Sequence, residues 1–168
     1  MSLLFLPEKI KHKQKINLNE SGFDFALVYI SEGILISKDN GAKFLKENLL
    51  FLSSASDILE SKKDASIFIL YFSGHYFKDL HHIQQNFCLS YNPQDIFRSE
   101  TLRNKSLSLK KENRKVIEKV LSLIYQQGES EDVTTSTFIF HQVMSLFAFI
   151  ENILKELNLP INDSRDMS

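Results

Sequence analysis

The sequence predicts an α+β protein: an antiparallel β-sandwich or barrel followed by two long antiparallel helices. Short apolar runs separated by turn residues fill the first half, the pattern of an antiparallel sandwich or barrel. Asn40-Gly41 between two extended runs marks a hairpin, because a type I′ turn needs positive φ at both central positions. From Ser106 onward the apolar residues recur at helical spacing instead.

Residues 1–20 read as an arm in which Lys9, Lys11, Lys13 and Lys15 alternate as on an exposed edge strand, with phosphate binding as the sharper alternative. Residues 23–30 form the first strand, with Phe23, Phe25, Leu27 and Tyr29 on one face and Asp24, Ala26, Val28 and Ile30 on the other. Ser31, Glu32 and Gly33 turn the chain into a strand over residues 34–36, and the hairpin follows. Further strands are expected over residues 42–45, 49–52, 58–61 and 66–72, the last a continuous apolar run of the buried type. Residues 75–85 read as a short helix, 87–89 as a brief strand and 91–107 as loop.

A helix over residues 109–127 places Leu109, Val116, Ile117, Val120, Leu121 and Ile124 inward and Lys110, Lys111, Glu112, Arg114, Lys115 and Glu118 in solvent, with Gly128 suited to its C-terminal cap. Residues 132–137 supply N-caps for a last helix over residues 135–157. The expected domains are therefore a β-barrel with its N-terminal arm over 1–90, a loop over 91–105, a helical segment over 106–158, and a linker or disordered tail over 159–168.

The last helix is apolar around most of its circumference, whereas a helix on one small domain needs a single apolar stripe about 100° wide. Surface is therefore expected to be left over for a second copy of the chain. Phe140, Val143, Met144, Phe147, Ile150, Ile153 and Leu154 are the residues expected at that twofold contact, with the same patch on both subunits. This points to sensing or assembly rather than to catalysis.

The charges nearly cancel, 20 Lys+Arg against 21 Asp+Glu, so no global field draws the chain onto nucleic acid or an anionic membrane. No run approaches the roughly 20 apolar residues of a membrane span, and the run from Leu3 to Leu6 is too short for a signal-peptide core. A cytoplasmic protein with no membrane partner is expected. Cys88 is alone and reads as a small buried apolar residue. Fourteen Phe and no Trp suit an apolar cavity or a greasy interface, or ordinary core packing.

Four stretches come in a telling order: Val28-Tyr29-Ile30-Ser31-Glu32-Gly33, Lys46-Glu47-Asn48-Leu49-Leu50-Phe51-Leu52, Ile69-Leu70-Tyr71-Phe72-Ser73-Gly74-His75-Tyr76-Phe77, and Met144-Ser145-Leu146-Phe147-Ala148-Phe149. Their order and spacing resemble the N-terminal regulatory domain of AraC/XylS-type transcription regulators, over roughly residues 20–157. The resemblance implies a cupin-like barrel followed by a helical dimerisation segment, acting in a bacterial transcription activator. It also implies that DNA is bound by a C-terminal helix-turn-helix domain absent from these 168 residues, so that this segment binds DNA poorly. The chain departs from the family where Glu47-Asn48 replace a Pro-Gly pair and where residues 53–57 lack a histidine. Some virulence regulators of the family hold a fatty-acid carboxylate with a lysine on the strand that here spans residues 23–30, a stretch without lysine.

Catalytic cupins hold a metal with three His and one Glu on neighbouring strands. His12, His75, His81, His82 and His141 form no His-x-His pair on an expected strand, and His81 and His82 project in different directions from one helix. No metal and no cofactor are expected. His141 reads as a core or interface residue, with a switch as the alternative. There is no Gly-rich phosphate loop or nucleophile elbow, and Ser73-Gly74-His75 lacks an orienting group and an oxyanion site, so an enzyme is not expected.

Two functions remain open. In one, the barrel interior is a pocket lined by Phe25, Leu27 and Tyr29 with Phe68 and Leu70 facing them, an apolar cavity with the Tyr29 hydroxyl as its polar tip, suited to a small apolar effector. The same side chains could equally fill the barrel. In the other, the domain is an interaction module that dimerises through the last helix and is controlled by a regulatory partner protein.

Overall fold

A computed structural model describes residues 3–10, 14–77, 89–127 and 133–159. The strands are β1 (Leu3–Ile10), β2 (Lys15–Ile16), β3 (Phe25–Glu32), β4 (Leu35–Ser37), β5 (Lys43–Phe44), β6 (Asn48–Leu52), β7 (Leu59–Ser61), β8 (Ala65–Phe72) and β9 (Ser106–Ser108). The helices are α1 (Leu18–Ser21), α2 (Pro93–Arg98), α3 (Lys111–Gln127) and α4 (Val133–Glu156). Gly74–Phe77 form one 3₁₀ turn.

Two antiparallel sheets result, a large one in the order β1-β8-β3-β6-β9 and a small one in the order β2-β7-β4-β5. They form two separate sheets, not the closed barrel that the sequence left as one alternative. Ala26, Val28 and Ile30 of β3 meet Leu35, Phe44 and Leu59 of the small sheet in one core. The other parity of the large sheet meets the helices in a second core, where Phe25, Leu27, Tyr29, Leu49, Phe51, Leu70 and Phe72 lie against Ile117, Leu121 and Ile124 of α3 and Val143 to Leu154 of α4. The large sheet is thus covered on both faces. That is why β6 and the first six residues of β3 are buried without alternation, as strands covered on both faces are.

The hairpin exists, but its turn differs from expectation. Leu35 pairs with Phe44 and Ile36 with Lys43, and five residues (38–42) rather than two lie between the two strands. Only Gly41 takes positive φ, 74°, while the Asn40 side chain accepts from the Ala42 amide. A second glycine is compelled at Gly33, φ 91°, where an added Cβ would stand 2.7 Å from the Ala65 Cβ as the chain leaves the bulge after Ile30.

The N-terminal residues are less of an arm than expected, since β1 pairs with β8 along its whole length, from Leu3 opposite Phe72 to Ile10 opposite Ala65. Lys15 does lie exposed on an edge strand of the small sheet; Lys11 and Lys13 lie outside the described residues. Residues 91–107 are not plain loop. Asn92 caps α2 by accepting from the Gln94 amide, Pro93 takes the first helical position, and β9 adds to β6. Most of the helix expected over 75–85, the strand over 87–89, and Cys88 lie outside the described residues.

Candidate functional site

The five side chains expected to line a pocket share the helix-facing side of the large sheet. Tyr29 lies opposite Phe68 and Leu27 opposite Leu70 as cross-strand neighbours, with Phe25 opposite Phe72. The expectation that they line the barrel interior is corrected: that space holds Ala26, Val28 and Ile30, and Phe25, Leu27 and Tyr29 lie under the helices. The reason is physical. Both parities of β3 are apolar because both faces are covered, so hydrophobic patterning carries no information about which face meets which layer.

Rings fill much of this layer. Phe97 of α2 stacks on Phe25 with centroids 5.3 Å apart, Phe77 lies 5.2 Å from Phe72, and Phe147 of α4 meets Phe72, Phe77 and Phe97 at 5.6–5.7 Å. Offset and edge-on pairs at these separations add to the burial that holds the layer.

The residues expected at a twofold contact on the last helix lie mostly inside the chain itself. Val143, Met144, Phe147, Ile150 and Leu154 of α4 are fully buried within the chain and Ile153 is 4% exposed. Phe140 is half-buried and lies 5.6 Å from the Tyr76 ring. The large sheet, α2 and α3 supply the cover that was expected from a second subunit. Among the residues whose burial is described, α4 presents Phe138, His141, Ser145, Asn152, Lys155 and Glu156 outward. By length and composition alone the segment Phe138–Glu156 would also pass for a membrane span, with mean hydropathy 1.2, contrary to the expectation that no run approaches one. Its apolar side is spent on the chain's own core.

Two polar links bridge sheet and helix. The buried Tyr29 hydroxyl donates to Glu118 Oε1 at 2.7 Å, and Arg114, one turn earlier on α3, forms an ion pair with Glu47. Glu47 stands in the left-handed region, φ 69°, and its amide donates to the Ile30 carbonyl. Burial first, then the Glu118 hydrogen bond, pushes the Tyr29 phenol well above its ordinary range. On α4, the buried carboxylate of Glu151 accepts from the Ser90 amide through both oxygens, at 3.0 and 3.2 Å.

A polar cleft of about 520 Å³ opens at one end of the large sheet. Its walls come from Asn19 of α1, the α1–β3 connection (Gly22, Phe23, Asp24), the turn after β6 (Ser53, Ser54, Ala55), Gly74, and the two arginines Arg98 and Arg103. Phe25 belongs to this cleft and to the apolar layer alike, and the Arg98 guanidinium lies 5.3 Å from the centre of its ring. Asp24 Oδ2 accepts from the Gly74 amide at 2.6 Å. Sequence reasoning missed this cleft. Its arginines lie in the stretch read as loop, where Asn92-Pro93 was the available helix signal.

The described residues contain no group of three or more His, Cys, Asp and Glu placed to hold a metal ion. His75 and His141 are exposed, so His141 is not a core residue; His12, His81 and His82 lie outside the described residues.

No family profile and no curated protein matches the sequence. Solved structures do match. Unsaturated-fatty-acid-bound ToxT from Vibrio cholerae aligns over 100% of this chain and 60% of its own, at 15% identity and TM-score 0.54. The AraC-like transcriptional activator CuxR aligns over 88% of this chain and 52% of its own, at 12% identity and TM-score 0.51. This chain shares the fold of the matched parts of ToxT and CuxR. ToxT from the same species bound to (E)-4-(8-methylnaphthalen-1-yl)but-3-enoic acid matches in the same way, at 15% identity and TM-score 0.51 over 96% of this chain. The chain spans about three fifths of the ToxT structures and half of CuxR.

Proposed function

We propose that this chain is the effector-sensing and dimerisation part of a bacterial, cytoplasmic AraC-type transcription activator whose DNA-binding helix-turn-helix domain lies outside these 168 residues. The observation that carries this reading is the match, along the full length of the chain, to ToxT with an unsaturated fatty acid bound. A small apolar effector would enter between sheet and helices, against Phe25, Leu27, Tyr29, Phe68 and Leu70. Homodimerisation is assigned to the outward stripe of α4, where Phe138, His141, Ser145 and Asn152 follow one another at steps of three, four and seven residues and so share one helix face.

A second reading is favoured by a specific observation. The contacts of Phe25, Phe72, Phe77, Phe97 and Phe147 leave the apolar layer occupied by the chain's own rings, which suits a module controlled by a partner protein with no small-molecule ligand.

Fusing the chain to a monomeric DNA-binding domain that needs pairing to hold its operator tests both. The regulatory reading expects operator occupancy that changes when an unsaturated fatty acid is added. Occupancy that is unaffected by the fatty acid favours the partner-controlled module, and no occupancy above the unfused DNA-binding domain overturns the dimeric regulator altogether.

A further inference from the structure

We propose that the cleft lined by Arg98 and Arg103 binds a small hydrophilic anion, a carboxylate or phosphate on a body rich in hydroxyl groups, distinct from any apolar effector of the sheet–helix layer. The inference goes beyond the regulatory reading and does not depend on it for its chemistry. Guanidinium groups present forked donors that match a carboxylate or phosphate. Among the described residues neither Arg98 nor Arg103 is in an ion pair, so both remain available to a ligand. Against these two positive charges the lining has one carboxylate, Asp24, which is held by the Gly74 amide, and the cleft is left with a net positive balance.

The rest of the lining argues for the body of the ligand. Asn19, Ser53 and Ser54 offer side-chain donors and acceptors, while the apolar surface is confined to Phe23, Phe25 and Ala55. Phe23 is itself stacked on Tyr71 at 5.4 Å, which leaves little for an acyl chain to cover. About 520 Å³ suits a molecule the size of citrate or a sugar phosphate. Because Arg98 lies over Phe25, an anion held there bears on a ring that also packs against Phe97 in the apolar layer.

Calorimetric titration of the full chain with inorganic phosphate, citrate, glucose 6-phosphate and decanoate separates the possibilities. Saturable binding of the hydrophilic anions, weakened by salt and reduced about tenfold by each of Arg98→Gln and Arg103→Gln, is the expected result. Ser54→Glu, which sets a carboxylate on an exposed lining residue, is expected to abolish binding with the melting temperature of the ligand-free chain unchanged. No saturable binding of any hydrophilic anion, binding indifferent to all three substitutions, or arginine-dependent binding of decanoate alone overturns the proposal. An anion bound without any operator occupancy in the fusion experiment would sink the regulator and leave the cleft standing; the reverse pair of results would do the opposite.

Discussion

The hydroxyl of Tyr29, on the central strand of the large sheet, donates to the carboxylate of Glu118 on α3 at 2.7 Å, across 89 positions of sequence. The two partners are unequal, Tyr29 being 1% exposed and Glu118 open to solvent. Truncating them is therefore expected to cost different amounts. Tyr29→Phe removes a donor whose partner can return to water, and about 1 kcal/mol of stability should go. Glu118→Ala strands a buried hydroxyl, at a cost of about 1–3 kcal/mol. Urea unfolding of both single variants and the double variant measures the coupling, and equal losses in the two single variants would count against this asymmetry.

The same pair makes a prediction about alkali. The phenols of Tyr29 and Tyr76 are both pushed up from the ordinary value of 10.0, Tyr29 by burial and then by Glu118, Tyr76 by burial. The folded chain thus holds these protons more tightly than the unfolded chain does. Their contribution is complete below the unfolded value and is lost as pH climbs from there through the folded one. Urea midpoints should fall steadily above about pH 10, and less steeply in Tyr29→Phe. A slope indifferent to that substitution would remove Tyr29 from the account.

Substitutions on α4 should separate core from surface. Met144→Glu buries an unpaired carboxylate and is expected to unfold the chain rather than dissociate it. Phe147→Ala opens a hole among three rings and should cost about 3–5 kcal/mol. Phe138→Glu, at a position 40% exposed, should leave the melting temperature nearly intact and shift the sedimentation of any dimer toward monomer. A folded Met144→Glu variant would contradict the placement of this helix.

Gly33 is expected to resist substitution from two directions. Gly33→Ala places its Cβ 2.7 Å from that of Ala65 and holds an L-residue at φ 91°. The backbone conformation alone costs about 1–2 kcal/mol, and the clash adds to it. A melting temperature equal to that of the parent chain would show that the bulge after Ile30 relaxes freely.

The sequence was informative wherever local patterning decides structure. The apolar runs at Phe25, Leu49 and Ile67 became strands, and the helical spacings around Ile117 and Val143 became the two long helices, because burial and backbone period are written into neighbouring residues. Asn92-Pro93 carried the signal for α2 as well, although six helical residues are too few to show a period. Which face of β3 meets which layer could not be read, since Leu27 and Val28 are equally apolar and both are buried. Nor could the all-round apolar character of α4 say who covers it: periodicity records that Met144 and Phe147 leave water, not whether a sheet or a second subunit receives them. The cleft is a matter of tertiary placement throughout. Asp24, Ser54, Gly74, Arg98 and Arg103 are scattered along the chain, and only the packing of α2 and the turn after β6 around the end of the large sheet gathers their charges into one place.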